Sequence, residues 1–174
     1  NVEWNYGYRE IDALGGKDPY SGSKGAAELI VKSYFNSFFK NKDSNVRICV
    51  GRAGNVIGGG DWSDYRIVPD CINAWINNDK LEIRNPNSTR PWQHVLEPLG
   101  GYIKLVKNLS NNIELNGEAF NFGPSNIENR TVGDVVNELK KFWPNSKQVN
   151  LANNYGFPHE AGLLKLNCEK AIKF

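Results

Sequence analysis

The run from Asp18 to Val50 constrains the fold more than any other part of the chain. Asp18 carries an acceptor suited to an N-cap, and Pro19 stands at the first helical position, where a missing N–H costs nothing. Beyond them Ala27, Ile30, Val31, Tyr34 and Phe38 recur at helical spacing, and the helix should run to about Lys40. Ala26, Leu29, Phe35 and Phe39 widen the stripe well beyond a narrow seam. Such a helix needs more than one neighbour, in a layer covering a sheet or in a partner subunit. Residues 41–45 make a polar turn, and Val46-Arg47-Ile48-Cys49-Val50 reads as a buried strand.

Helix and strand patterns continue to alternate, which places the chain in the α/β class. Residues 67–77 read as a helix whose apolar face is Ile67, Val68, Cys71, Ile72, Trp75 and Ile76. Leu81-Glu82-Ile83-Arg84 is a short strand, and residues 97–109 form a helix carrying Leu99, Ile103, Val106 and Leu109. Ala119-Phe120-Asn121-Phe122-Gly123 is a further strand. Thr131-Val132-Gly133-Asp134 has the form of a capping box, with Asp where Glu or Gln is usual. Its helix should continue through Val135, Val136, Leu139 and Phe142 and stop at Pro144. Val149-Asn150-Leu151 is a last short strand, and a turn of helix covers 167–173. Residues 1–17 lack periodicity and read as an irregular approach segment, whose Trp4, Tyr6 and Tyr8 either stack on a ligand or pack together.

Composition excludes several classes. The net charge of +2 is too small to argue for nucleic acid or an anionic membrane. No apolar run approaches the roughly 18 residues of a membrane span, and nothing has the form of a signal peptide. Three cysteines, far apart and odd in number, fit reduced thiols in a cytoplasmic protein. His94 and His159 are too distant to form a zinc motif, so no metal is expected. The sequons at Asn87, Asn108 and Asn129 read as chance. The chain contains no methionine and opens on Asn1, as expected of part of a longer reading frame.

Four segments have chemical readings. In Tyr20-Ser21-Gly22-Ser23-Lys24 a phenol and an ammonium stand one helical turn apart. A phenol with its ordinary pKa of about 10 is a poor base at neutral pH. A neighbouring cation and a helix N-terminus both stabilise its phenolate. The pair suits removal of a hydroxyl proton while a hydride leaves the same carbon. The glycine-rich loop from Arg52 to Trp62 leaves a strand, where a ligand crevice or a plain turn are both possible, with Asn55 able to donate to a phosphate or sugar oxygen. It is not a G-x-G-x-x-G dinucleotide fingerprint. Arg84 and Arg90 flank a polar loop, as a diphosphate clamp or as solvated surface arginines. Pro158-His159-Glu160-Ala161-Gly162 either completes a pocket wall or is a loop before a helix, and Glu28 with Lys32 reads as a surface i,i+4 pair.

Together these segments resemble one family. Asp18-Pro19 followed by Tyr20 and Lys24 resembles the active-site helix of extended short-chain dehydrogenase/reductases. The 52–62 loop, the 90–99 stretch, Phe122-Gly123-Pro124-Ser125 and the 158–166 stretch are similar to those of the CDP-glucose 4,6-dehydratases, across essentially the whole chain. The resemblance implies the C-terminal part of a Rossmann-like fold: residues 1–52 from the NAD-binding half, and 53–174 a small sugar-nucleotide α/β domain with elements returning to the Rossmann sheet. It implies NAD as the parent cofactor and a CDP-sugar as ligand. Tyr20 would take the 4-hydroxyl proton, and Lys24 would hold the nicotinamide ribose. Asn55 would lie near the phosphates, Arg90 at the diphosphate, and Ile67, Val68 and Pro69 at the nucleoside; His94 and His159 join the substrate set. The family's G-x-x-G-x-x-G and its Ser/Thr-Asp strand end do not occur in these 174 residues. The chain alone is therefore expected to bind no NAD and not to turn over. The other reading is a non-catalytic module that keeps only nucleotide-sugar binding. The outer face of the 24–40 helix implies a homo-oligomer.

Overall fold

Short two-stranded ladders, each joining segments distant in sequence, tie the molecule together. The structure, a computed structural model, describes residues 6–41, 43–125, 130–143 and 162–174, and the backbone of 149–151. Trp4, Pro144 and His159 lie outside the described residues.

Helix α1 spans Pro19–Tyr34 and continues as a π-helical turn, Phe35–Phe39, ending at Lys40. Its start follows the sequence: the Asp18 carboxylate accepts from the Ser21 N–H at 2.9 Å and from Ser21 Oγ at 2.7 Å. Its inward face does not. Gly25 is buried, while Ser21, Glu28, Val31, Phe35 and Phe39 are half-buried. The expected stripe is largely outside, with Ile30 and Tyr34 exposed and Phe38 65% exposed. Two close contacts set this rotation. A Cβ on Gly25 would lie 2.8 Å from the Gly15 nitrogen, and one on Gly117 would lie 2.3 Å from the Phe35 ring. The bare helix face at Gly25 thus sits on the 14–15 backbone, and Phe35 covers Gly117.

Strand β1, Val50–Ala53, pairs in parallel with β6, Ala119–Phe122, with Val50 opposite Ala119. The strand expected over 46–50 is therefore displaced toward the C-terminus. Residues 47 and 48 are held outside a ladder by two side chains and by one backbone bond, in which the Gly117 N–H donates to the Ile48 carbonyl at 2.7 Å. Arg47 Nη1 donates to the carbonyls of Leu109 and Ser110 at 2.7 and 2.9 Å, and the Ile48 N–H donates to Asn116 Oδ1 at 2.8 Å. Helix α3, Leu96–Asn111, covers one face of this pair. Leu105 and Leu109 pack there with Leu115 and Phe120 as a buried cluster. Tyr102 sits so close to β1 that a Cβ on Gly51 would be 2.6 Å from its ring. Arg52 points to the other face, toward α1.

A second cluster consists of Cys71, Trp75, Leu81, Ile83 and Val136. Helix α2, Ile67–Ile76, and strand β3, Leu81–Ile83, supply most of it, and β3 pairs in parallel with β8, Val149–Leu151. Helix α4, Val132–Lys140, adds Val136 and starts at a reciprocal capping box. The Asp134 N–H donates to Thr131 Oγ1 at 3.0 Å, and the Thr131 N–H donates to Asp134 Oδ2 at 2.8 Å. The helix stops short of the expected end, because the N–H groups of Lys141, Phe142 and Trp143 turn back to carbonyls three residues earlier. Phe142 is left 84% exposed.

Two further ladders pair the remaining described strands. Strand β2, Asn55–Ile57, runs parallel to β5, Trp92–His94, and β4, Thr89–Arg90, runs antiparallel to β7, Arg130–Thr131. Helix α5, Glu169–Lys173, closes onto β6, where Lys170 Nζ lies 4.7 Å from the Phe120 ring centre. Among the described residues no helix is long and apolar enough to cross a membrane, and no cluster of metal-ligating side chains occurs.

Candidate functional site

The strand-to-loop passage at Gly54 builds the site. A Cβ on Gly54 would lie 2.4 Å from the Pro91 carbonyl oxygen, so only glycine lets β2 come alongside β5 here. The Asn55 N–H then donates to Pro91 O at 2.9 Å, and the Val95 N–H to Ile57 O at 2.8 Å. Gly59 and Gly60 by contrast face open space, and Gly60 has φ +83. The glycines of this loop therefore serve two ends: Gly54 serves strand packing, and Gly59 and Gly60 leave the backbone accessible.

A cavity of about 260 Å³ opens between this loop, the first turn of α2 and strand β3. It brings together Asn55, Arg90, Ile67, Val68 and Pro69, which the sequence assigns to one ligand. Asn55 is half-buried, and its side-chain amide has no hydrogen-bond partner among the described residues. Arg90 is only 8% exposed, and its Nη1 donates to the Thr89 carbonyl at 2.8 Å. Trp92 lines the same cavity, and its indole N–H donates to the Arg130 carbonyl at 3.2 Å, so it packs as a wall.

Sequence reasoning missed several lining residues. Trp62, Tyr65, Arg66, Asp70 and Glu82 all border the cavity. Tyr65 holds a left-handed backbone, φ 62, that no turn signature announced. Asp70 is half-buried, and loss of water around it raises its carboxyl above the ordinary value. The nearby Asp64 charge acts in the same sense, and Arg84 opposes it. Asp61 is held low instead, by the Ser63 N–H that donates to it at 3.0 Å, by the Ser63 side chain and by the Arg66 charge.

Tyr20 and Lys24 do not line this cavity. They stand on the first turns of α1, Tyr20 69% exposed, with the Lys24 ammonium 5.6 Å from the phenol ring centre. Lys24 has no carboxylate partner among the described residues, so its N–H donors are available. Glu28 is not the surface partner of Lys32. It accepts from Arg52 Nε at 2.8 and 3.0 Å and from Nη2 at 2.6 Å, a bidentate pair from α1 to the strand that leads to Asn55. His94 is exposed at the end of β5, away from the cavity, and its Nδ1 accepts from the Leu96 N–H at 3.3 Å.

No protein-family model matches the chain. CDP-glucose 4,6-dehydratase of Salmonella typhimurium is 45% identical over 174 residues, which take in 98% of this chain and 48% of that protein. The chain thus spans about half the length of this curated relative. The structure superposes on dTDP-glucose 4,6-dehydratase of Bacillus anthracis in complex with NAD, with a TM-score of 0.76 and 21% identity over 96% of this chain and 49% of that one. It superposes equally on a dTDP-glucose 4,6-dehydratase of Streptomyces venezuelae with NAD bound, with a TM-score of 0.77 and 16% identity over 96% and 48%.

Proposed function

We propose, from the premise that this chain has the fold of the C-terminal part of an extended short-chain dehydrogenase/reductase, that it forms the proton-transfer and substrate-binding side of a CDP-glucose 4,6-dehydratase. The observation that carries the proposal is the convergence of Asn55, Arg90 and the Ile67, Val68 and Pro69 turn on one cavity. In this reading the Arg90 guanidinium binds the diphosphate in a low-dielectric wall, where a charge-assisted bond is strong. Asn55 donates its free amide to a phosphate or sugar oxygen. The apolar turn of α2 receives the nucleoside. The resemblance also assigns His94 and His159 to the substrate set.

Tyr20 Oη takes the proton of the sugar 4-hydroxyl, and Lys24 favours the resulting phenolate. The donor set fits the nicotinamide end of NAD: Lys24 keeps its N–H groups for ribose hydroxyls, and Tyr20 is open on the same helix face. When bound, NAD supplies the hydride acceptor for C4 and the hydride donor for C6 of the sugar. We assign residues 1–52 to the Rossmann half and 53–174 to the sugar-nucleotide domain, with α3, β6 and α5 returning to the sheet. A cytoplasmic setting and a homo-oligomer that covers the outer face of α1 belong to the same reading.

Calorimetric titration tests it. CDP-glucose is expected to bind, and Arg90→Ala to weaken that binding by about tenfold or more. If no CDP compound binds, the proposal fails. Tight NAD binding by these 174 residues would overturn the narrower view that they hold only the nicotinamide end and do not turn over alone.

A further inference from the structure

Two aromatic rings stand open at the rim of the cavity, Trp62 at 60% exposure and Tyr65 at 84%. Among the described residues neither ring packs on another ring, and neither the indole N–H nor the phenol hydroxyl has a hydrogen-bond partner. The backbone separates the two. Trp62 lies in a polar turn, in which the Ser63 N–H donates to Asp61 Oδ1 at 3.0 Å. Tyr65 has φ 62, and the only other non-glycine residue with a positive φ among the described residues is Asn78. Asparagine suits that region, whereas a large aromatic residue is an outlier there. Two anchors hold the outlier in place. The 61–63 turn precedes it, and the first turn of α2 follows it, where the Asp70 N–H donates to the Arg66 carbonyl at 2.9 Å. Burial does not offset the strain, because so little of the Tyr65 side chain is covered. Strain kept without a gain in packing marks a functional residue, whose ring is covered only when a ligand arrives.

We propose that Tyr65 is a stacking residue, its ring lying against the face of a nucleotide base held in the cavity. The inference rests on the reading of the cavity as a nucleotide-sugar site, and Tyr65 lies outside the residues that the resemblance assigns to it. Tyr65 stands two residues before Ile67, the first residue of α2, and both border the cavity, so they meet the same end of a ligand. Arg90 takes the diphosphate in that reading, which leaves a flat, apolar-faced ring for the α2 end. Stacking uses the π-face, which every base has, so Tyr65 governs affinity and not the choice of base.

Calorimetry with CDP and with inorganic pyrophosphate, which has no base, tests the proposal. The proteins are the native chain, Tyr65→Leu, Tyr65→Phe, Tyr65→Gly and Trp62→Leu, each with a thermal melt. Tyr65→Leu should weaken CDP binding about fivefold to a hundredfold. Tyr65→Phe keeps the ring and should bind CDP as the native chain does, and Trp62→Leu should lose less than Tyr65→Leu. Pyrophosphate affinity should be the same in all the Tyr65 variants. Glycine adopts a left-handed backbone without strain, so Tyr65→Gly should melt at or above the native temperature while losing CDP affinity. Native CDP affinity in Tyr65→Leu, a loss shared equally by pyrophosphate, or a loss in Tyr65→Phe as large as in Tyr65→Leu overturns the stacking role. A larger loss in Trp62→Leu than in Tyr65→Leu overturns the choice of Tyr65. CDP bound no tighter than pyrophosphate by the native chain overturns stacking and leaves a diphosphate site standing. Absence of binding by both probes overturns the cavity reading and the inference with it.

Discussion

At the scale of single residues, the cavity and the buried thiols can each be tested by one substitution or one reagent. Asn55, Arg90 and the Ile67, Val68 and Pro69 turn sit in distinctive local stretches, and the cavity gathers them. Asp70 left no signal, because an acid in a first helical turn reads as an ordinary complement to the helix dipole. In any turnover assay Tyr20→Phe is expected to lower kcat by about 10²–10⁴-fold while CDP-glucose affinity holds; an unchanged kcat would remove Tyr20 from the proton-transfer role. The thiols give a second check. Burial pushes Cys71 up to about 12 and Cys168 up to about 11, with nearby Asp70 and Glu10 acting in the same direction. Since the thiolate is the reactive form, both should resist alkylation at pH 8 until the protein is unfolded. Rapid native labelling of either would contradict their burial. Gly54→Ala would drive a methyl into the Pro91 carbonyl. It should part β2 from β5 and abolish binding of CDP-glucose; a variant that binds normally would show that the strand contact is dispensable.

At the scale of elements, helix existence was clear and helix facing was not. The periodicity of α1 announced a helix and its cap, yet the widest apolar stripe lies outside, because glycine contacts and an ion pair decide which side meets the sheet. The 46–50 strand moved for a comparable reason: the Arg47 side chain donates to backbone carbonyls of α3 and the Ile48 N–H donates to the Asn116 side chain, which no local pattern encodes. The Glu28–Arg52 pair is 20% exposed on each side and joins the helix of Tyr20 to the strand before Asn55. Glu28→Gln should loosen that joint, with a lower Tm and faster amide exchange in β1; an unchanged exchange pattern would mean that packing alone sets the helix. The caps predict an acid response. Hydrogen bonds from Ser21 hold Asp18 below its ordinary 3.8, and those from Thr131 hold Asp134 below it as well. Carboxyls depressed by folding lend stability above the unfolded value, and it is lost as pH falls through the lowered one. Melting temperature should therefore drop below about pH 3.8, and less steeply in Asp134→Asn.

At the scale of the whole molecule, two apolar helix faces stand open. On α1 they are Leu29, Ile30, Tyr34 and Phe38, and on α3 Leu96, Leu99, Ile103 and Val106. Patches of this kind mark association surfaces. Light scattering at high concentration should report an oligomer, and Ile30→Glu should shift it toward monomer. A monodisperse native monomer would count against the covered face. The α/β class was legible because helix and strand periods alternate, but the division into small ladders was not, since two- and three-residue strands carry too few positions to show a period.

That division also governs time. Among the described strands β1 waits for β6, β2 for β5, β3 for β8 and β4 for β7, and none pairs with its neighbour in sequence. A chain emerging from the ribosome can wind α1 early, but it has no partner to offer β2 until Trp92 has appeared. Closing such long loops costs entropy before any ladder bond forms, which slows topologies of this kind to about milliseconds to seconds. Refolding from denaturant should show helical signal well ahead of protection in the β1 amides. Until the last ladders close, the two clusters would stand as separate, half-made halves, so synthesis order rather than final stability would decide how much of the product escapes aggregation.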